Sequence, residues 1–166
     1  MSIKDKIALN PAKVFLAILS FIAIFFLYGF GGNAKQTTSA IGSQAKPGQA
    51  VVVLKDTTVI ADIADTPEKR TQGLSGRKNL GSNQGMIFIF ENPGVPGFWM
   101  KDMLFPIDMI WISESERIVS ITKDARPESY PSVFYPKGEV KYVLEVPAGF
   151  SEKNNLKEGD RVLIKL

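Results

Sequence analysis

Two aspartates and a lysine sit inside one of the most apolar windows of the chain, FWMKDMLFPIDMIWI, from Phe98 to Ile112. Asp102 and Asp108 are six residues apart across the Pro106 bend, with Trp99 and Lys101 just upstream. Paired carboxylates can divide acid and base roles in glycoside hydrolysis, and the outcome depends on their separation, which a proline bend leaves open. They are the only catalytic candidates here, and no recognisable catalytic set surrounds them. The bland alternative is structural. In extended geometry Ile107, Met109 and Trp111 face one way while Asp108, Ile110 and Ile112 face the other. Both faces are apolar, as in a central strand. An ionised carboxylate buried alone costs several kcal/mol, so Asp108 must have partners.

Arg77 in GLSGR is the preferred partner, because its planar fork can bind both carboxylate oxygens. Lys101 is the alternative, and backbone N–H groups of the Gly73 to Gly76 turn could complete the set. On this reading Asp108 staples the 98–112 segment to the turn at Leu74–Arg77. The functional reading is a polar ligand pocket formed by Arg77, Trp99, Lys101, Asp102 and Asp108. GLSGR also resembles an anion-binding turn, although a helix stop at Gly73 explains half of it. The segment YPSVFYP, Tyr130 to Pro136, sets three aromatics between prolines, able to stack on sugar rings or to form a rigid loop over the end of the domain.

The 166 residues leave room for one ordinary domain and an appendage. Cys and His are both absent, which excludes thiol nucleophiles, disulfides, imidazole acid/base steps and thiolate zinc sites. No calcium loop or P-loop is present, so neither metal nor cofactor is expected. The overall charge is +3, but residues 1–48 carry five Lys against Asp5, net +4, and residues 49–166 carry a net −1. The basicity belongs to the N-terminal segment, and no nucleic-acid partner is expected.

Val14 to Phe30, VFLAILSFIAIFFLYGF, is a run of 17 residues without a charge. As a helix it reaches roughly 25 Å, the short end of a bilayer span. Lys4, Lys6 and Lys13 precede it, so residues 1–13 are expected in the cytoplasm, 14–30 as a transmembrane anchor, and the remainder outside the cell membrane. A cleaved signal peptide is the rival, with Gly32-Asn33-Ala34 at a suitable spacing for cleavage. Residues 31–49 are small and polar, and predict a flexible tether.

From residue 50 to 166 the pattern changes to short β-type runs: Val51–Leu54, Thr58–Ala64, Met86–Phe90, Ile107–Ile112, Arg117–Thr122, Val140–Val146 and Arg161–Leu166. Seven such runs at this spacing predict a mainly β, antiparallel sandwich or barrel-like domain. Ser113-Glu114-Ser115-Glu116 should turn one hairpin. Two short helices interrupt the strands. Thr66 is an N-cap followed by Pro67, and Gly73 a stop, giving a helix over Pro67 to Gln72; a second begins at Ser151-Glu152 and ends near Leu156. Neither is long enough to carry a parallel crossover.

TPEKRTQGLSGRKNL, GMIFIFENP, FWMKDMLFPIDMIWI, RIVSI, ARPES, VKYVLEVPAG and LKEGDRV follow one another as in the prokaryotic family called domain of unknown function 192. The resemblance covers about residues 58–164. It implies a compact β-rich domain, commonly behind a signal sequence or single anchor, and implies no activity. The chain departs from the family pattern at Asp102 and Met103, where Asn-Thr is more usual, and at Ser113, where Asp is common. The resulting expectation is a membrane-anchored, extracytoplasmic, envelope-associated binding module for a small ligand, a glycan or a partner protein. A carboxylate-dependent hydrolase of envelope polysaccharide and a structural accessory subunit are the alternatives.

Overall fold

The computed structural model describes residues 45–166. The expected anchor at 14–30, the segment 1–13 and most of the tether lie outside the described residues. Where the tether ends, residues 47 and 48 turn into the first strand, which begins at Gln49.

All seven β-type runs are strands of one sheet. In chain order they are β1 (Gln49–Leu54), β2 (Thr57–Ala64), β3 (Gln84–Gly94), β5 (Ile107–Ile112), β6 (Ile118–Ala125), β8 (Val140–Pro147) and β9 (Val162–Lys165). Two further short strands, β4 (Phe98–Trp99) and β7 (Val133–Phe134), pair as a separate antiparallel ribbon, with Phe98 opposite Phe134 and Trp99 opposite Val133. YPSVFYP therefore contributes a strand as well as a loop. Two residues per strand give too short an alternation to be recognised in a sequence.

The sheet runs β6-β5-β8-β3-β2-β1-β9. Its outer strands meet at a single antiparallel bridge between Arg117 and Arg161, flanked by hydrogen bonds from Ile118 N to Asp160 O and from Val162 N to Glu116 O, both 2.9 Å. A right-handed twist carried across seven strands brings such edges together. The domain is thus a mainly β, half-barrel sheet with few short helices.

One pairing corrects the all-antiparallel expectation: β2 and β3 run parallel, with Ile60 opposite Gln84 and Ala64 opposite Phe88. The chain between them, residues 65–83, contains α1 (Pro67–Gln72) and makes the return as a long loop. Crossover needs a dozen or more residues, and irregular chain supplies them as well as helix does. The helix itself is as expected. Thr66 Oγ1 accepts from Lys69 N at 3.3 Å, Pro67 opens the helix, and Gly73 at φ +50° closes it. The second helix, α2 (Phe150–Lys153), starts one residue earlier than expected, behind Gly149 in the left-handed region. The Ser113–Glu116 turn joins β5 to β6 through Glu116 N to Ser113 O at 3.0 Å.

Strand alternation divides the core in two. Val52, Leu54, Ile87, Ile110, Ile112, Leu144 and Val146 fill the inside of the curved sheet together with Phe150 and Leu156 from the α2 region. On the other face Phe88, Ile107, Met109, Trp111 and Val143 are covered by Leu74, Met100 and Met103. All six residues of β5 are buried, and they divide between the two faces in the alternation expected from the sequence. Gly85 lets β3 approach β8 closely, since a Cβ there would lie 2.7 Å from the Glu145 carbonyl oxygen.

Candidate functional site

Asp108 is completely buried, and its partners are amides. Its Oδ1 accepts from the backbone N–H of Asp124 at 3.0 Å and of Gly149 at 3.2 Å, and its Oδ2 from that of Ser151 at 2.9 Å. These donors stand at the end of β6 and in the turn from β8 into α2, where the chain leaves the sheet and its N–H groups have no ladder partner. A carboxylate placed among them satisfies three groups at once. Arg77 is not among the partners, contrary to expectation. Its Nη2 donates to Asp62 Oδ2 at 2.7 Å, and Gln49 Nε2 reaches Asp62 Oδ1 at 2.8 Å. Burial raises the Asp62 pKa, but the bonds from Gln49 and Arg77 outweigh it and hold the carboxyl below its ordinary value.

The expected tie between the 98–112 segment and the 74–77 turn does exist, made by other atoms. Ser75 Oγ donates to Lys101 O at 2.9 Å, and Gly76 N to Asp102 O at 2.8 Å. Asp102 adopts φ +55°, the left-handed region that turns its carbonyl toward the Gly76 amide. A serine hydroxyl and backbone groups make the tie expected of Asp108, and a sequence pattern does not announce them.

Between these two turns lies a cleft. Its inner part is a cavity of about 350 Å³, walled by Phe88, Phe90 and Phe98, by Gly73 and Leu74 after α1, and by Met103, with Glu145 of β8 among its lining residues. The outer part is lined by Pro67, Glu68, Thr71, Gln72, Ser75 and Gly76 on one side and by Trp99, Lys101 and Asp102 on the other. Trp99, more than half exposed, lines both parts. The ribbon positions it: a Cβ on Gly97 would lie 2.8 Å from Val133 Cγ1, so only glycine lets β4 lie this close to β7. Phe98 packs edge-on against Phe88 at 4.8 Å and Trp111 at 5.3 Å, fixing the inner wall. Arg70 braces α1, its Nη1 donating to Asp65 O at 2.8 Å and Ile89 O at 2.9 Å with its guanidinium 5.2 Å from the Phe90 ring centre.

Of the residues singled out from the sequence, Trp99, Lys101 and Asp102 therefore come together at the cleft. Arg77 and Asp108 do not line it. Glu145 was missed. It is 5% exposed, its backbone is paired in the sheet, and among the described residues no group donates a hydrogen bond to its carboxyl. Burial pushes its pKa up to about 8, with Arg77 acting weakly in the opposite direction. Its carboxyl is therefore mostly protonated at neutral pH. The signal was available in VKYVLEV. An acid whose neighbours two residues away are apolar Val143 and Pro147 is as anomalous there as Asp108 is in IDMIWI.

The sequence profile of DUF192, described as Uncharacterized ACR, matches residues 50–164. The chain belongs to the DUF192 family. Relatives include UPF0127 proteins of Thermococcus sibiricus, 35% identical over 102 residues, and Thermococcus gammatolerans, 33% identical over 103 residues. The matched regions cover 60% and 61% of this chain, and 62% and 63% of those relatives' lengths. The DUF192 domain is also similar to two solved structures. One is a putative transcription regulator from Sinorhizobium meliloti 1021, with TM-score 0.66 and 28% identity over 74% of this chain and 97% of that one. The other is a protein of unknown function from Novosphingobium aromaticivorans, with TM-score 0.66 and 25% identity over 77% and 97%.

Proposed function

We propose that this DUF192 domain is a binding module that takes a small ligand into the cleft between α1 and the β4–β7 ribbon. The observation that carries the reading is the carboxyl of Glu145, 5% exposed and without a donor among the described residues, at an aromatic-walled cavity. A carboxyl that is almost fully buried and has no protein donor costs stability, and a ligand head seated on it would offset that cost. The cavity is of ligand size, toward the lower end of the roughly 300–1,000 Å³ usual for small-molecule sites. The run at 14–30 and the lysines before it support a tethered module held outside the cytoplasm. Retention in the membrane fraction after an alkaline carbonate wash is expected, and a soluble product starting near Lys35 would show cleavage instead.

The hydrolase alternative draws no support from Asp102 and Asp108 as a pair, since both Asp108 oxygens are occupied by backbone amides. The name of the Sinorhizobium neighbour suggests regulation of transcription, but the net −1 charge of residues 49–166 gives no support to a nucleic-acid contact here.

The test is a thermal-shift screen of glycosides, amines, alcohols and carboxylic acids on the full chain in non-ionic detergent. Thr71, exposed and lining both parts of the cleft, is the place to plug it. A compound that raises the melting temperature of the natural chain and leaves Thr71→Trp unmoved supports the reading. Compounds that stabilise both equally, or none that stabilise either, overturn it.

A further inference from the structure

The inner cavity offers a ligand few polar side chains that are free of bonds within the fold, and that restricts what it can hold. Three of the polar side chains on its α1 side are committed at home: Thr71 Oγ1 donates to Pro67 O at 2.8 Å, Gln72 Nε2 to Ser75 O at 3.1 Å, and Ser75 Oγ to Lys101 O at 2.9 Å. Arg70 Nη1 is held by two carbonyls. Among the described residues no group donates to the Glu145 carboxyl, and the inner cavity it lines is also walled by Phe88, Phe90, Phe98, Trp99 and Met103. A polyhydroxylated ligand needs several donors and acceptors and would leave most of its hydroxyls unpaired here. An anion could use only the Arg70 N–H groups that its two carbonyl bonds leave over, and would lie in the same cavity as the Glu145 carboxyl. A ligand with one cationic N–H head and an apolar body asks least of these walls: the head meets the Glu145 carboxylate, and aromatic rings attract positive charge.

Resting on the cleft as the binding site, we propose that this DUF192 domain binds a primary alkylammonium group there, its N–H head on the Glu145 carboxylate and its carbon chain against Phe88, Phe98 and Trp99. The association is a proton exchange. The protonated acid gives up its proton to solvent, the carboxylate takes the ammonium in its place, and charge inside the cavity is balanced before and after. The charged groups that bear on Glu145 are Arg77, paired with Asp62, and Arg70 from α1; Glu68, Lys101 and Asp102 line only the outer part. The facing positions on β3 and β5, Met86 and Met109, are uncharged.

The experiment is calorimetric titration of the full chain in non-ionic detergent with n-butylammonium, with n-butanol, butyrate and methyl glucoside as comparators, in buffers of different ionisation heat. Butylammonium should bind at least tenfold more tightly than any comparator and release about one proton at pH 7. Its affinity should rise about tenfold per pH unit from pH 6 toward 8 and then level, because Glu145 loses its proton near 8. Glu145→Gln should lose the preference and the proton release, while Trp99→Ala weakens binding several-fold and keeps both. Butanol or methyl glucoside binding equally well, with Thr71→Trp blocking it and Glu145→Gln indifferent, overturns the ammonium inference and leaves the cleft reading standing. Butylammonium binding that survives both Thr71→Trp and Glu145→Gln overturns the inference, and a screen in which no compound responds to the plug overturns the cleft as well.

Discussion

Asp108 on β5 and Glu145 on β8 are buried carboxyls on neighbouring strands, only one register step apart, since Asp108 faces Val146 and Met109 faces Glu145 across the ladder. They point to opposite faces of the sheet. Asp108 shares its face with Ile110 and Leu144 and finds three backbone amides at the sheet's end; Glu145 shares its face with Met109 and Val143 and finds none among the described residues. The first is satisfied inside the fold and holds three segments together. The second meets no protein donor among the described residues and lines the cleft. Both acids are buried, at 0% and 5% exposure, and only the first is satisfied by amides of the fold, so a carboxyl's role follows from the donors around it more than from its depth.

That contrast breaks most visibly at Asp108. Asp108→Ala leaves the amides of Asp124, Gly149 and Ser151 without an acceptor and should cost roughly 3–5 kcal/mol in urea unfolding. A loss under about 1 kcal/mol would end the staple reading. Glu145 should instead show itself through pH. Folded, it keeps its proton to about pH 8; unfolded, it releases it near its ordinary value of 4.5. Folding therefore takes up a proton between those values, and stability should fall as pH rises from about 4.5 to about 8, by on the order of 5 kcal/mol, then flatten. Glu145→Gln should flatten that part of the curve.

Removing the second carboxyl altogether sharpens the comparison by reversing its sign. Glu145→Met at pH 8 should leave stability unchanged or raise it by about 1 kcal/mol, because an unpartnered acid is replaced by a side chain that packs. Smaller again is Arg77→Ala. Its bridge to Asp62 is about one-third exposed on each side, and melting should show a loss of about 0.5–1 kcal/mol. Trp99→Ala should change stability by less than about 0.5 kcal/mol, because the side chain is more than half exposed, while ligand affinity falls.

The strands were legible because alternation and β-branched composition are local signals. Ile107–Ile112 and Pro67–Gln72 begin and end at the expected residues, the helix because Thr66, Pro67 and Gly73 mark its limits chemically. Trp99, Lys101 and Asp102 were found at the cleft because an apolar window interrupted by charge is visible in one dimension. The parallel β2–β3 pair was not legible, since a 19-residue loop can return in either sense and its sequence does not say which.

Hydrophobic periodicity thus determined the seven strands of the main sheet and the buried position of Asp108, while the succession of motifs carried the resemblance to DUF192. Only the tertiary structure decided which donors reached which acid. Those that reach Asp108 come from 16, 41 and 43 residues away, and Arg77 meets Asp62 across 15. Burial is written in the pattern of one strand, whereas a hydrogen bond needs two segments brought to within about 3 Å, and sheet closure alone sets which two.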